Sequence, residues 1–299
     1  MKKKVISAGE LFLTALIWGV AFVAQSVGMD YIGPYTFNCV RFLIGGLVLI
    51  PLILFSRKRK NSSNQTEEEK QSYQKNTIIG GIICGLFLCS ASSFQQMGIV
   101  QTTVGKAGFI TALYIIIVPI LGIFLHKKLT PILITSALIA VAGFYLLCIS
   151  GQVSINRGDI LILICALLFS IHILVIDHFS PKGDCVAISC IQFFVSAFLS
   201  GIMMFFFEKP QMSQILAAYI PILYAGVMSC GVAYTLQIVG QRDTDPTVAS
   251  LILSLESVFS ALAGWVILKQ ILSTKELIGC GLVFLAVILA QLPSKKRTA

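Results

Sequence analysis

Apolar runs of about twenty residues follow one another along almost the whole chain, separated by short polar turns. A helix needs about twenty residues to cross ~30 Å of hydrocarbon. The runs are continuous rather than alternating, which favours helices over the strands of a barrel. The pattern predicts an all-α integral membrane protein with ten transmembrane helices, at about 8–28, 35–55, 77–98, 104–125, 131–149, 159–178, 185–207, 214–236, 246–268 and 274–292.

Polar residues between the runs predict where helices begin. Asp245-Pro246 combines an N-cap with proline in the first turn, and Ser273 with Glu276 forms a capping box. One polar segment is long, residues 56–76, and we expect it to be a mobile cytoplasmic loop.

Two of the runs resemble each other. Residues 249–264 read ASLILSLESVFSALAG, and residues 107–122 read AGFITALYIIIVPILG. When their final glycines are aligned, Tyr114 falls opposite Glu256. The alignment predicts two related halves, of which one carries a buried acid.

The halves are expected at 8–150 and 158–292, within one membrane domain. Each would have five helices, and an odd number places the two copies upside down relative to each other. Inverted repeats of this kind recur in secondary transporters, with the binding site near the midplane. We therefore expect two inverted five-helix repeats around a central cavity.

The composition agrees with a membrane protein, since 57% of residues are hydrophobic and 12% charged, against about a quarter charged in soluble domains. The net charge of +9 does not indicate nucleic-acid binding, because the basic residues lie in turns and at the termini. With the N-terminus inside, sixteen of the 22 Lys and Arg residues fall on the inner side and five on the outer. The bias predicts a plasma-membrane protein with both termini in the cytoplasm.

Several segments in order resemble the EamA family of the drug/metabolite transporter superfamily. They are TALIWGVAF, VRFLIGGLVLIP, LSLESVFSALAG and ELIGCGLVFLAVILA. The resemblance implies an exporter-type fold in which helices one to four and six to nine surround the cavity. It implies no single substrate, since members are associated with amino acids, other metabolites and drugs. The family usually has a glutamate after helices four and nine; Lys127 and Gln270 stand near those positions here, so no role is carried over.

Two charged residues lie inside predicted helices, where they cost a few kcal/mol on insertion scales. Glu256 lies near the middle of helix nine, at the membrane midplane. In a functional role it would couple protons or bind a substrate amine; in a structural role it would be neutral or paired. Arg41 lies in the outer third of helix two. It could capture a substrate carboxylate or phosphate, pair with Glu256, or extend to the membrane surface.

Polar residues on helices that face the predicted cavity are weaker candidates. Each could contact substrate or bond a neighbouring helix. They are Trp18, Gln25, Asn38, Gln95, Gln96, Tyr114, His172, Gln192, Tyr234 and Gln237.

Other chemistries find no support. The segment 98–107, GIVQTTVGKA, fails the phosphate-loop pattern, and neither H-E-x-x-H nor G-x-S-x-G occurs. We expect no enzyme, no cofactor and no metal; nine cysteines are scattered singly as packing residues. The expected partners are a small-molecule substrate and the lipid bilayer, with a homodimer as an open question.

The sequence therefore predicts a secondary transporter that exports a small metabolite, such as an amino acid, in exchange for protons. One alternative is an exporter of cationic drugs, held by Glu256 and aromatic rings. Another is a membrane scaffold or sensor without flux.

Overall fold

The structure is a computed structural model that describes residues 2–59, 66–102, 104–127, 130–148, 156–269 and 273–290. All regular elements in these ranges are helical. They are α1 Lys2–Gly28, α2 Pro34–Arg59, α3 Glu67–Ile99, α4 Val104–Thr111, α5 Tyr114–Phe124, α6 Pro131–Cys148, α7 Arg157–Phe179, α8 Cys185–Phe207, α9 Met212–Ala217, α10 Tyr219–Leu223, α11 Thr235–Gln241, α12 Pro246–Leu253, α13 Leu255–Leu268 and α14 Thr274–Ala290. A 3₁₀ turn, Ser180–Lys182, precedes α8, and a π-helix, Tyr224–Tyr234, joins α10 to α11.

Eight segments of the described chain are long and apolar enough to cross a membrane. They are Lys3–Gly28, Pro34–Phe55, Glu67–Ile99, Val104–Phe124, Arg157–Lys182, Cys185–Phe207, Tyr219–Gln241 and Pro246–Leu268. The other two predicted spans correspond to α6 and α14, which are shorter and pack against each other. The structure thus confirms an all-helical multi-span protein, whereas ten crossings and the inverted arrangement stay predictions.

The polar segment 56–76 is not a loop over its second half. Helix α3 begins at Glu67, ten residues before the predicted start, and Thr66 caps it. The Thr66 Oγ1 accepts a hydrogen bond from the Glu69 amide at 3.3 Å, and the Glu69 carboxylate accepts one from the Thr66 amide at 3.1 Å. The expectation of a loop was wrong for residues 56–59, which continue α2, and for residues 67–76, which belong to α3. Arginine, glutamate, lysine and glutamine are good helix formers, and their polarity indicates solvation rather than disorder. Residues 60–65 lie outside the described ranges.

Several predicted helix starts are confirmed. The Asp245 carboxylate accepts from the Thr247 amide at 2.9 Å, directly before the proline that opens α12. Ser273 and Glu276 exchange both capping-box hydrogen bonds before α14. These caps satisfy amide groups that have no partner within the helix.

Three helices predicted as continuous are interrupted. Helix four breaks between α4 and α5 at residues 112–113, and helix nine breaks at Ser254 between α12 and α13. Helix eight is π-helical over eleven residues, so its backbone hydrogen bonds span five residues instead of the four of an α-helix. At Ser254 the hydroxyl donates to the Leu251 carbonyl at 2.7 Å, a bond that competes with the helical ladder.

The two breaks fall at equivalent places. Helices α4 and α12 have eight residues each, and both end immediately before the break. The alignment of residues 107–122 with 249–264 brings the two breaks into register. Contacts of α5 with α12 and of α4 with α13 place the two interrupted helices side by side in the centre of the bundle.

Close packing and a cap from another helix hold the bundle together around this centre. Helix α2 packs along α8, and α3 packs along both α7 and α8. At one end, the Glu208 carboxylate accepts from the amides of Tyr35 and Thr36, at 2.8 Å each. A side chain following α8 thereby caps the first turn of α2.

Candidate functional site

A small cavity lies in the centre of the bundle, and both intramembrane charges line it. Its volume is about 30 Å³. About one water fits per 10–15 Å³ of such volume, so there is room for roughly two waters. The lining residues come from α1, α2, α3, α4, α5, α7, the π-helix, α11, α12 and α13; they are Trp18, Phe22, Gln25, Arg41, Gln95, Thr111, Tyr114, Phe169, Ile173, Ser229, Tyr234, Gln237, Leu253 and Glu256.

The two helix breaks position an acid and its partner. Tyr114 is the first residue of α5, and Glu256 is the second residue of α13. The Tyr114 hydroxyl donates to Glu256 Oε1 at 2.9 Å, and both side chains are buried. The residues that the sequence alignment placed opposite each other therefore touch across the cavity wall. A carboxyl group held in this way can accept or release a proton, or bind a cationic group.

Arg41 forms a second polar centre on the same cavity. Its side chain is 1% exposed, and Nη1 donates to Gln25 Oε1 at 3.0 Å. The guanidinium also lies over two rings, with its carbon 4.8 Å from the centroid of Phe42 and 5.6 Å from that of Phe37. Nε and Nη2 have no hydrogen-bond partner in the described part of the chain. The guanidinium is thus held in place on one side and able to bind a ligand on the other.

Arg41 and Glu256 line one cavity without bonding to each other. Their hydrogen-bond partners are Gln25 and Tyr114. No ion pair joins the two charged groups within the described residues. The interpretation of Arg41 as a partner of Glu256 finds no contact in this conformation.

Aromatic side chains form another part of the wall. Trp18 and Tyr234 lie with ring centroids 4.6 Å apart, and Tyr234 packs edge-on against His172 at 6.2 Å. Gln237 lies three residues beyond Tyr234 and also lines the cavity. Of the twelve candidate residues, the cavity brings together the eight that line its wall: Trp18, Gln25, Arg41, Gln95, Tyr114, Tyr234, Gln237 and Glu256.

The other four candidates, Asn38, Gln96, His172 and Gln192, are buried beside the cavity rather than on its wall. His172 Nε2 and Gln192 Oε1 are hydrogen-bonded at 3.0 Å, and Gln96 donates to the Gln25 carbonyl at 3.2 Å. The Asn38 amide is fully buried, and neither of its polar atoms has a partner in the described chain. Contact of these four with a substrate stays a prediction.

Several wall residues carry no signal that sequence reasoning could use. Phe22, Phe169, Ile173 and Leu253 are apolar residues in apolar helices, indistinguishable there from ordinary packing residues. Ser229 reaches the wall from within the π-helix. Among the described residues, no group of three or more His, Cys, Asp or Glu side chains could hold a metal ion.

Comparisons with known proteins agree on the family. The chain matches the profile of the EamA-like transporter family over residues 7–149 and again over 156–292. It is 31% identical over 284 residues to an uncharacterized transporter of Archaeoglobus fulgidus, covering 94% of this chain and 84% of that protein. It is also 24% identical to the uncharacterized transporter YoaV of Bacillus subtilis, over 90% of each chain. One crystal structure superposes with a TM-score of 0.74 at 20% identity over 96% of both chains, a likeness in fold.

Proposed function

The chain belongs to the EamA-like transporter family of membrane proteins, and we propose that it works as a proton-coupled secondary transporter by alternating access. The cavity between Arg41 and Glu256 is the proposed substrate site. The proposed activity is the export of a small metabolite, such as an amino acid, from a cell whose plasma membrane holds the protein with both termini in the cytoplasm.

Alternating access is supported by the relation between the two halves. The family profile matches each half separately. The short helices α4 and α12 end at equivalent breaks, and interrupted helices at matching positions point to the substrate site of a transporter with inverted repeats. We therefore assign the two halves to opposite orientations in the membrane.

The size of the cavity supports movement as part of transport. A volume of about 30 Å³ is too small for a metabolite, so the helices around it must separate before a substrate enters. The breaks at residues 112–113 and at Ser254 supply places where these helices can bend. We take this conformation to be one in which the substrate site is closed.

One contact is the main support for the coupling role, the 2.9 Å hydrogen bond from Tyr114 to Glu256. It joins the two halves at a carboxyl group on the cavity wall. Substrate binding or protonation at Glu256 would alter this bond, and so would change how the halves contact each other. Arg41 is the other charged residue on the cavity wall, and no lysine of the described chain lines it.

The test is flux in proteoliposomes under an imposed pH gradient, with radiolabelled amino acids as first probes. Glu256→Gln should abolish the response of flux to the gradient, because the amide cannot exchange a proton. Glu68→Gln, at an exposed position in the first turn of α3, is the matched control and should transport as the parent does. Gradient-driven flux in Glu256→Gln equal to that of the parent would exclude the coupling role.

The wall favours one second candidate, an exporter of cationic drugs. The adjacent rings of Trp18 and Tyr234 lie in the same cavity as Glu256, an arrangement that suits an organic cation. Arg41 argues against a cationic substrate, because its own positive charge would repel a cation bound in the same cavity. Inhibition of amino-acid flux by tetraphenylphosphonium would favour this candidate; absence of inhibition would favour the metabolite.

A further inference from the structure

One edge of the Arg41 guanidinium is buried and has no hydrogen-bond partner among the described residues. The Nε–H bond and one N–H bond of Nη2 run parallel along this edge, and this pair of donors matches the two oxygens of a carboxylate. Neither nitrogen has a partner in the described chain, while Nη1 is engaged by Gln25. An unpaired donor in a buried setting costs free energy, so a partner for this edge is expected.

The position of the guanidinium is fixed by its surroundings. Gln25 holds one side, and the rings of Phe37 and Phe42 lie within 6 Å of the guanidinium carbon. The side chain is 1% exposed, so bulk water does not screen it. Two donors held in this way are preorganised for a planar group with two acceptors.

The charge of the cavity selects among anions. Arg41 supplies the single cationic side chain of the wall, and Glu256 supplies the single acidic one. A dianion such as a phosphate monoester would bring a second negative charge next to Glu256 with no second cation to balance it. A monoanion with two oxygens in one plane fits both the charge and the donor edge.

We propose that the Nε/Nη2 edge of Arg41 is a carboxylate subsite, so that the transported compounds are monocarboxylates whose remaining atoms lie against the aromatic and amide side chains of the wall. This inference rests on the proposed function, because it assigns the substrate group that the cavity holds. The subsite excludes compounds whose only charge is positive. The two waters for which the cavity has room would be displaced from the donors when the carboxylate binds.

Glu256 is the competing source of a carboxylate for this edge. The two side chains line one cavity, and in another conformation Glu256 could occupy the edge itself. In that case Arg41 would select no substrate group. The dependence of an acid-induced Tm shift on Arg41 separates the two sources, because an edge that Glu256 occupies cannot bind an added acid.

The test is ligand-induced stabilisation of the detergent-purified full chain, measured as the shift of Tm at equal ionic strength. The probes are four acids and their primary amides: propanoate, benzoate, leucine and tryptophan, against propanamide, benzamide, leucinamide and tryptophanamide. At least one acid should raise the Tm, and its amide should not. Arg41→Gln should remove the shift. Arg41→Lys keeps the charge without the parallel donors and should weaken binding by about tenfold or more.

Arg242→Gln is the matched control, since Arg242 is exposed at the end of α11, and its ligand shifts should equal those of the parent. The proposal is wrong if no acid of the panel raises the Tm, or if an amide raises it as much as its acid. A shift that survives in Arg41→Gln also contradicts it. If Arg41→Gln does not fold, the ligand-induced Tm shifts of Arg41→Lys are compared with those of the parent instead.

Flux measurements distinguish failure of the carboxylate subsite from failure of the proposed transport function. Transport of amides as fast as acids would leave the transporter proposal intact and remove the carboxylate subsite. Binding of acids through Arg41 without flux in proteoliposomes would keep the subsite and remove the transporter mechanism.

Discussion

At the scale of single residues, the two intramembrane charges are held by neutral polar partners. Glu256 bonds to a tyrosine hydroxyl and Arg41 to a glutamine oxygen. Neutral partners leave each charged group able to exchange its ligand, whereas a direct ion pair would satisfy both. This distinguishes the cavity from the ion pairs at the helix ends, where Lys106 meets Asp159 at 2.6 Å.

The hydroxyl of Tyr114 gives the first prediction. Tyr114→Phe removes the donor to Glu256 and should lower the free energy of unfolding by about 0.5–2 kcal/mol, as for a buried hydrogen bond to a carboxyl group. It should also change the pH dependence of flux, because Glu256 loses its partner. Thermal unfolding and proteoliposome flux are the measurements.

Tyr145→Phe is the control for that change. Tyr145 is 60% exposed on α6, away from the cavity wall. Equal effects of the two substitutions on stability and on the pH profile would show that the Tyr114 hydroxyl has no special role.

At the scale of elements, glycine allows α1 to approach α13 closely. A Cβ atom added at Gly19 would lie 2.7 Å from the carbonyl carbon of Phe259 and 2.9 Å from the Ser260 nitrogen. Both of these atoms belong to backbone and cannot rotate away. The contact lies one residue from Trp18, so the fit of α1 against α13 sets the position of the cavity wall.

Gly19→Ala should therefore destabilise the protein, by about 1–3 kcal/mol, because the added methyl group forces the two helices apart. Gly9→Ala in the same helix is the control, since no atom lies within 4 Å of its Cβ position. That substitution should be neutral or slightly stabilising, as alanine favours helix. Thermal unfolding in one detergent compares them, and a Gly19→Ala protein as stable as Gly9→Ala would refute the close-packing argument.

At the scale of the whole molecule, one pair of helices is tied at both ends. Lys106 and Lys127 flank the helix formed by α4 and α5, and they pair with Asp159 and Asp177 on α7, at 2.6 and 2.7 Å. The two ion pairs connect both ends of this interrupted helix to α7. Lys127, which stands near the position where the resemblance led us to expect a glutamate, pairs with Asp177 instead.

The orientation of the molecule in the membrane is a prediction at the same scale. Lys70 on the first turns of α3 should face the cytoplasm, and the exposed Lys209 should face outward. In intact cells, a membrane-impermeant maleimide should label Lys209→Cys and leave Lys70→Cys unlabelled until the cells are opened. The parent protein measures the background from its own cysteines, and the reverse labelling pattern would invert the topology.

The sequence alone determined the class of protein and most of the helices. Apolar runs of membrane-spanning length need no tertiary information, because lipid leaves the backbone only internal hydrogen bonds. The repeat of residues 107–122 in 249–264 also related Tyr114 to Glu256 before any contact was known. Caps such as Asp245 could be predicted because their bonds are local.

Only the tertiary structure decided what these residues touch. The Gln25 partner of Arg41, and the guanidinium edge that has no partner among the described residues, depend on how the helices pack against each other. In a chain that is apolar nearly throughout, a cavity wall and a packed core have the same composition. The two charged residues, Arg41 and Glu256, could therefore be read from the sequence. The packing of the helices decided that they line one cavity without forming an ion pair in the described structure.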